Sequence, residues 1–199
     1  MSRRIGLFGG SFDPVHLAHV ALARVALEHL QLDELRWVPV GHAWQKQRQL
    51  SPAVHRAAML ELAIAGLDGH VLEPCELLRP GPSYTLDTVR ELQARDGAAH
   101  QWFLVIGQDQ YAHFDSWHGW PELLQRVTLA VAGRAGEVPR SAGKLAETPH
   151  RMELLPLPPM AISATEIRAR MARHEPIDAL VPPEVARYIA QQRLYLPPT

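Results

Sequence analysis

Near the start of the chain stands IGLFGGSFDPVHLAH, residues 5–19, and the remaining sequence is organised around it. The apolar residues 5–8 predict a buried strand and the helix formers 21–30 predict a helix, so a strand-to-helix turn lies between them. Gly9 and Gly10 have no side chain, which lets the backbone of this turn approach a ligand closely. The sequence therefore predicts a ligand-binding turn at the carboxyl end of the first strand.

The helix that follows this turn begins with two histidines. Asp13 is a favourable N-cap and Pro14 a favourable first helical residue, which predicts that the helix begins there. Counted from this cap, His16 lies at N3 and His19 lies one turn later on the same face. Both stand near free backbone N–H groups and the positive end of the helix dipole. We interpret the turn as a phosphate cradle.

The composition favours one compact unit with a local anion site. A chain of 199 residues that is 47% hydrophobic fills one core, so we predict a single domain, 1–199. The net charge of -1 gives no general attraction to nucleic acid or to an anionic membrane, and it favours a small anionic ligand. Cys75 is the only cysteine, which excludes an intrachain disulfide, and its apolar neighbours indicate a buried, unreactive thiol. The sequence shows no signal peptide and no apolar span of about 18 residues, so we expect a cytoplasmic protein.

Predicted strands and helices alternate along the chain. After the strand at 5–8, strands are predicted at 34–40, 70–73, 102–107 and 127–132, and further helices at 52–65, 85–95 and 121–126. This alternation predicts an α/β fold: a Rossmann-like, doubly wound parallel sheet of strand order 3-2-1-4-5, followed by C-terminal helices. Residues 133–149 are expected to form a loop. Ligands bind such sheets where the strand order reverses, which brings residues 9–19 opposite Gly107 and Asp109.

A second helix start near the C-terminus carries a related signal. Ser163 and Glu166 form a predicted capping box, in which each side chain bonds the backbone N–H of the other residue. Thr165 and Arg168 lie three apart on one face near the positive helix end, which suits a pyrophosphate group. An ordinary capped helix explains this segment equally well when it is taken alone. Together with the first motif it favours nucleotide binding, although neither GxGxxG nor the P-loop pattern is present.

The histidine pair allows three other interpretations. His16 and His19 could ligate zinc, but no third ligand stands at a suitable spacing and HExxH is absent, so we predict no metal site. A nucleotidylated histidine intermediate would need a base to activate it, and none stands nearby. A nucleotide-sensing module without chemistry would not need so many cationic and imidazole groups around the phosphates.

Both motifs resemble those of a known nucleotidyltransferase superfamily. Its turn reads Gly-Gly-Ser/Thr-Phe-Asp-Pro-x-His-x-Gly-His and its helix start reads Ile-Ser-Ser/Ala-Thr-x-x-Arg, which correspond here to residues 9–19 and 162–168. Three further short segments are similar to the bacterial nicotinate-nucleotide adenylyltransferases: 82–85 (PSYT), 106–109 (IGQD) and 116–117 (SW). The resemblance extends over nearly the whole chain.

This resemblance implies adenylyl transfer from ATP to nicotinate mononucleotide, which yields nicotinate adenine dinucleotide and pyrophosphate in NAD biosynthesis. Mg²⁺ is expected to arrive with ATP, and no nucleic-acid or membrane partner is expected. The acceptor phosphate is already ionised near neutral pH, so the site needs positioning and charge stabilisation rather than a general base. The alternatives are a related nucleotidyltransferase that uses nicotinamide mononucleotide or phosphopantetheine, and the sensing module.

The resemblance also implies a role for individual residues. The catalytic residues would be His16, His19, Lys46 and Arg168. ATP would be bound by Gly9, Gly10, Ser11, Phe12, Ser163, Thr165 and Arg168. Nicotinate mononucleotide would be bound by Thr85, Gly107, Asp109, Trp117 and Arg134. Within this last group, Trp117 would stack on the pyridine ring, the backbone near Thr85 would receive the carboxylate, and Asp109 would bind a ribose.

Three positions depart from the family pattern. Ala18 replaces the glycine between the two histidines, and Gln45 replaces a histidine beside Lys46. His118 stands where a tyrosine often follows Trp117. Contacts to the nicotinate carboxylate are therefore expected to differ from those of the family.

Overall fold

A computed structural model of the protein describes residues 2–42, 50–97, 99–133 and 139–197. The strands are β1 (Arg4–Gly10), β2 (Glu34–Pro39), β3 (His70–Leu72), β4 (Gln101–Gly107), β5 (Thr128–Ala132) and β6 (Met152–Leu155). They form one parallel sheet of order β3-β2-β1-β4-β5-β6. The predicted α/β architecture and the order 3-2-1-4-5 are confirmed, with β6 added at one edge. The prediction of a single domain stays a prediction.

Helices cover both faces of this sheet. They are α1 (Leu17–His29), α2 (Ala53–Ile64), α3 (Cys75–Leu78), α4 (Thr85–Asp96), α5 (Gln108–Ala112), α6 (Trp120–Arg126), α7 (Gly143–Ala146), α8 (Ala164–Ala172) and α9 (Pro183–Gln191). A 3-10 turn lies at Phe114–Ser116. Within the described ranges, no helix has the length and apolar character needed to cross a membrane.

Alternate residues of the central strands point into two separate cores. In β4, Phe103 and Val105 join the core under α1, α2, α8 and α9, whereas Leu104 and Ile106 join the core under α4 and α6. A strand buried on both faces needs apolar residues at every position, because successive side chains point to opposite sides. This explains why β4 is the most continuous apolar run in the chain.

The elements that the sequence did not predict include β6 and α7. β6 is a short edge strand in which only Leu155 is buried, and Pro156 follows it directly, so it has neither a long apolar run nor an alternating one. Helix α7 lies in the described part of 133–149, which was predicted to be a loop. Its four residues are too few to produce a helical period in the sequence.

The start of α1 is three residues later than predicted, and the N-cap is His16 rather than Asp13. His16 has extended backbone angles (φ -145°, ψ 170°), and its backbone N–H donates to Nδ1 of His19 at 3.2 Å. Asp13 is buried and cannot cap the helix because its carboxylate is engaged elsewhere. Its Oδ1 accepts from the Tyr195 hydroxyl at 2.7 Å and its Oδ2 accepts from the Ser51 backbone N–H at 3.2 Å.

Candidate functional site

The end of β1 and the following turn form the cradle, residues 9–12. Phe12 is fully buried and has a φ of +47°, a left-handed conformation that is uncommon for a bulky residue. Its ring packs edge-on against Phe8, at 5.5 Å between centroids, and against His19 at 5.1 Å. A Cβ on Gly10 would lie 2.9 Å from the Phe12 ring, so this position needs glycine. Backbone strain of this kind is often found at ligand-binding turns.

The two histidines lie together at the first turn of α1. Their rings stack at 3.6 Å between centroids, so the predicted pairing of His16 and His19 is confirmed although the helix begins elsewhere. Burial lowers the pKa of His16 from its model-compound value of 6.5 to about 4, which leaves its imidazole neutral at pH 7. Nδ1 of His16 has no hydrogen-bond partner within the described ranges. A buried polar atom without a protein partner is uncommon and is a candidate for contact with a ligand.

Two arginines hold the cradle from outside. Arg56 of α2 is 2% exposed and donates to the Ser11 carbonyl at 3.2 Å and to the Ser51 carbonyl at 3.0 Å. Arg168 of α8 donates to the Asp13 carbonyl at 2.7 Å. A guanidinium has several donors and can bond to separate segments, so these two arginines connect the turn to α2 and α8.

The second motif lies beside the cradle through Arg168. As predicted, the Ser163 hydroxyl accepts from the Glu166 backbone N–H, at 3.2 Å, and Arg168 reaches the Thr165 hydroxyl at 3.2 Å. The other half of the capping box was predicted wrongly. The Glu166 carboxylate pairs with Arg170 one turn later, at 3.0 Å, because this partner carries a full charge and the Ser163 N–H does not. Ser163 and Thr165 are exposed, so a ligand can reach them.

A cleft opens at the carboxyl ends of β1, β2 and β4, where the strand order reverses. Of the residues expected to contact ligands, it is lined by Gly9, Gly10, Ser11, Thr85 and Trp117. The Trp117 ring packs on Phe114 at 5.0 Å between centroids and 30° between planes, which fixes its orientation at the cleft wall. The cleft therefore joins the cradle to an aromatic wall.

Other predicted residues lie outside this cleft. Gly107 is the N-cap of α5, and Asp109 is an exposed residue in the first turn of that helix; neither lines the cleft. The Asp109 carbonyl is close to Nδ1 of His113, at 2.9 Å. Lys46, its neighbour Gln45 and Arg134 lie outside the described residues. The departure at Ala18 falls in the first turn of α1, where the residue is half-buried.

The residues that line the cleft without a role assigned from the sequence include Glu76, Ser83, Tyr84 and Thr88. Glu76 is 7% exposed, and burial raises the pKa of its carboxyl, although hydrogen bonding by Thr88 and the nearby charge of Arg79 act in the opposite direction. His118, noted only as a departure, packs against Tyr84 at 4.4 Å between ring centroids. Glu76 lies in the short helix α3, whose four residues show no helical period that could have predicted it. Ser83 and Tyr84 belong to the PSYT segment, residues 82–85, whose likeness to the family did indicate that segment.

No group of three His, Cys, Asp or Glu side chains in the described part of the chain is arranged to hold a metal ion. The cradle instead offers backbone N–H groups and imidazole nitrogens. These groups bind anions, whereas Mg²⁺ prefers oxygen ligands. The described residues therefore suit an anionic ligand rather than direct coordination of a metal ion.

Comparisons with known proteins agree with this arrangement. The cytidylyltransferase-like family model matches residues 7–170. A curated relative from Methylibium petroleiphilum is 54% identical, with 98% of this chain and 94% of the relative covered. Another, from Albidiferax ferrireducens, is 51% identical, with 97% of this chain and 98% of the relative covered. Both bear the name "Probable nicotinate-nucleotide adenylyltransferase".

A solved structure has the same fold. It is the Plasmodium falciparum nicotinic acid mononucleotide adenylyltransferase complexed with NaAD, and it superposes with a TM-score of 0.78. The superposition covers 97% of each chain at 18% sequence identity, so it shows likeness of fold.

Proposed function

The chain belongs to the cytidylyltransferase-like family and, within it, to the nicotinate-nucleotide adenylyltransferases, and we propose that it transfers the adenylyl group of ATP to nicotinate mononucleotide. The products are nicotinate adenine dinucleotide and pyrophosphate, and the reaction is a step of NAD biosynthesis. One observation carries this proposal: the phosphate cradle and the aromatic wall line the same cleft. Its substrates are small molecules.

The chemical step needs positioning more than acid–base chemistry. The 5′-phosphate of the acceptor attacks the α-phosphorus of ATP in line; a new P–O bond forms, the bond to the β-phosphate breaks, and pyrophosphate leaves. The attacking phosphate is already ionised, so it requires no base. The imidazoles of His16 and His19, at the positive end of α1, donate hydrogen bonds to the charge that develops on the α-phosphoryl oxygens.

The remaining site residues are proposed to bind the two nucleotides. Gly9, Gly10, Ser11 and Phe12 face the ATP phosphates with their backbone, and the β- and γ-phosphates lie against the motif residues Ser163, Thr165 and Arg168. Trp117 stacks on the pyridine ring, and the first N–H groups of α4 near Thr85 receive the carboxylate. Gly107 and Asp109, at the start of α5, also bind nicotinate mononucleotide, with Asp109 at a ribose.

Three further parts of the proposal rest on the sequence and the family pattern. Lys46 and Arg134 supply further positive charge to the phosphates and to the acceptor. Mg²⁺ enters with ATP and is held by phosphate oxygens and water. The cytoplasm, where the reducing conditions suit a single free cysteine, is the proposed location.

The test is a comparison of three acceptors. Purified protein is mixed with ATP and Mg²⁺, and pyrophosphate release is measured with nicotinate mononucleotide, nicotinamide mononucleotide, phosphopantetheine or no acceptor. We expect rapid release and the dinucleotide product with the acid, and slower release with the other acceptors. Equal rates with acid and amide would remove the carboxylate-recognition claim. No release with any acceptor would favour the sensing module instead.

A further inference from the structure

The start of α4 borders the cleft at the carboxyl ends of β1, β2 and β4, here called the acceptor cleft because nicotinate mononucleotide is proposed to bind there. The first N–H groups of α4 are not capped by a side chain. Tyr84 is the N-cap and makes no side-chain cap hydrogen bond. The N–H groups of Asp87 and Thr88 bond to the Tyr84 carbonyl at 3.1 and 3.2 Å. Within the described ranges, those of Thr85 and Leu86 have no protein acceptor. Two such N–H groups at a positive helix end suit a carboxylate, provided that the helix start is held in place.

The buried carboxyl group of Glu76 contacts the start of α4. Glu76 of α3 accepts a hydrogen bond from the Thr88 hydroxyl at 2.7 Å. The Ser83 hydroxyl is a second hydrogen-bonding group that acts on the same carboxyl. Ser83 directly precedes the N-cap, and Thr88 is the fourth residue of α4. Glu76 therefore holds the chain on both sides of the first helical turn.

The two hydroxyl groups also accept hydrogen bonds from other segments. Arg79 donates to the Thr88 oxygen at 3.1 Å, and the His42 backbone N–H donates to the Ser83 oxygen at 3.3 Å. The Thr88 hydroxyl has two acceptors within reach, and Glu76 at 2.7 Å is nearer than the Tyr84 carbonyl at 3.4 Å. The carboxyl is the common acceptor of this network.

The backbone of α3 is held equally closely. A Cβ on Gly41, just after β2, would lie 2.0 Å from the Glu76 carbonyl oxygen, so only glycine allows this contact. Residues 82 and 83 pair with His42 through a parallel bridge and through a hydrogen bond from the Ser83 N–H to the His42 carbonyl at 3.1 Å. The end of β2, α3 and the start of α4 therefore form one unit with Glu76 at its centre.

We propose that Glu76 is a positioning residue for the acceptor: it holds the first turn of α4 so that the Thr85 and Leu86 N–H groups meet the carboxylate of nicotinate mononucleotide. The inference rests on the proposed function and adds the residue on which preference for the acid depends. If Glu76 instead contacted the substrate directly, its removal would have the opposite effect on the affinity for nicotinate mononucleotide. A carboxylate in contact with the acid would repel it, and its removal would strengthen binding of the acid.

The test compares kinetic constants for four variants. Glu76→Ala removes the acceptor, Glu76→Gln keeps its shape and one oxygen, and Thr88→Val removes one of the two hydroxyls. Glu73→Ala is the matched control: Glu73 is 6% exposed, accepts from the Cys75 N–H at 3.3 Å and pairs with Arg95 at 2.6 Å, but does not line the acceptor cleft. Urea unfolding of each variant shows how much stability each substitution removes.

For Glu76→Ala we expect the KM for nicotinate mononucleotide to rise about tenfold, while kcat and the KM for ATP change less than about twofold. The preference for nicotinate over nicotinamide mononucleotide falls as well, because the uncharged amide binds the Thr85 and Leu86 N–H groups less strongly than the carboxylate does. Glu76→Gln restores part of the affinity, and Thr88→Val shifts the same constant in the same direction. Glu73→Ala loses stability without a change in this KM.

Three results would overturn the inference. One is an equal effect of Glu76→Ala and Glu73→Ala on the KM for the acid, and another is an equal rise in the KM for ATP. The third is tighter binding of the acid in Glu76→Gln, which folds even where Glu76→Ala does not because its shape is kept. A wild-type protein that transfers adenylyl to neither mononucleotide would overturn the proposed function itself, whereas an active wild type whose Glu76 variants keep the wild-type KM and acid preference would overturn only the role of Glu76.

Discussion

The buried imidazole of His16 makes the stability of the folded protein depend on pH. In the folded state burial lowers its pKa to about 4, whereas the unfolded chain has the ordinary value of 6.5. Between these two values the unfolded state binds a proton that the folded state does not. Stability is therefore full above pH 6.5 and is lost as the pH falls towards 4. A shift of this size corresponds to about 3 kcal/mol, since one pKa unit is about 1.4 kcal/mol.

The perturbation that isolates this effect is His16→Asn, which removes the titrating ring and keeps a good N-cap residue. Urea unfolding, followed by tryptophan fluorescence, gives the free energy of unfolding near neutral pH and at about pH 4. Other groups titrate in both proteins, so the quantity of interest is the difference between them. The wild type should lose about 3 kcal/mol more than the variant over this range. Equal losses, within about 0.5 kcal/mol, would refute the idea that His16 is buried in its neutral form.

The other predictions concern the reaction and the single thiol. His16→Ala and His19→Ala are each expected to lower kcat for pyrophosphate release by about 10²- to 10³-fold, because each removes a donor that stabilises developing charge; rates within about threefold of wild type for both would contradict this. Burial, the first cause, and the nearby acidic residues raise the pKa of the Cys75 thiol to about 12. It should therefore resist a thiol reagent at neutral pH until urea is added, and rapid labelling of the native protein would show that the thiol is accessible.

The architecture was predictable because its main signals are local. The apolar runs of β1 and β4 each stand next to a turn, and parallel strands buried on both faces leave few polar positions. Alternation of strands with helices then predicts the handedness of the crossovers and the edge at which the loops meet. The turn at residues 9–12 and the pairing of His16 with His19 follow from that geometry, whereas Trp117 was assigned to the site by its likeness to a family. The likeness to a family added the identity of the substrates.

What the sequence did not predict depends on contacts between distant residues. Asp13 was expected to cap α1, yet its carboxylate binds Ser51 and Tyr195, which a local pattern cannot indicate. Glu76 lies in a helix of four residues, too short for any period, and its partner Thr88 is reached only after the chain has turned back. Local propensity was overruled at both places by hydrogen bonds that close long loops.

The hydrogen bond between Asp13 and Tyr195 has a consequence for the order in which the site is completed during synthesis. Asp13 is 1% exposed, and burial raises the pKa of the Tyr195 hydroxyl, which keeps its proton available for the carboxylate. Asp13 leaves the ribosome long before Tyr195, so this buried carboxylate lacks one of its partners until Tyr195 has also emerged. A nascent chain that ends before Tyr195 has every cradle residue and still lacks a finished cradle. The turn at residues 9–13 is thus completed only after most of the chain that follows it has been made.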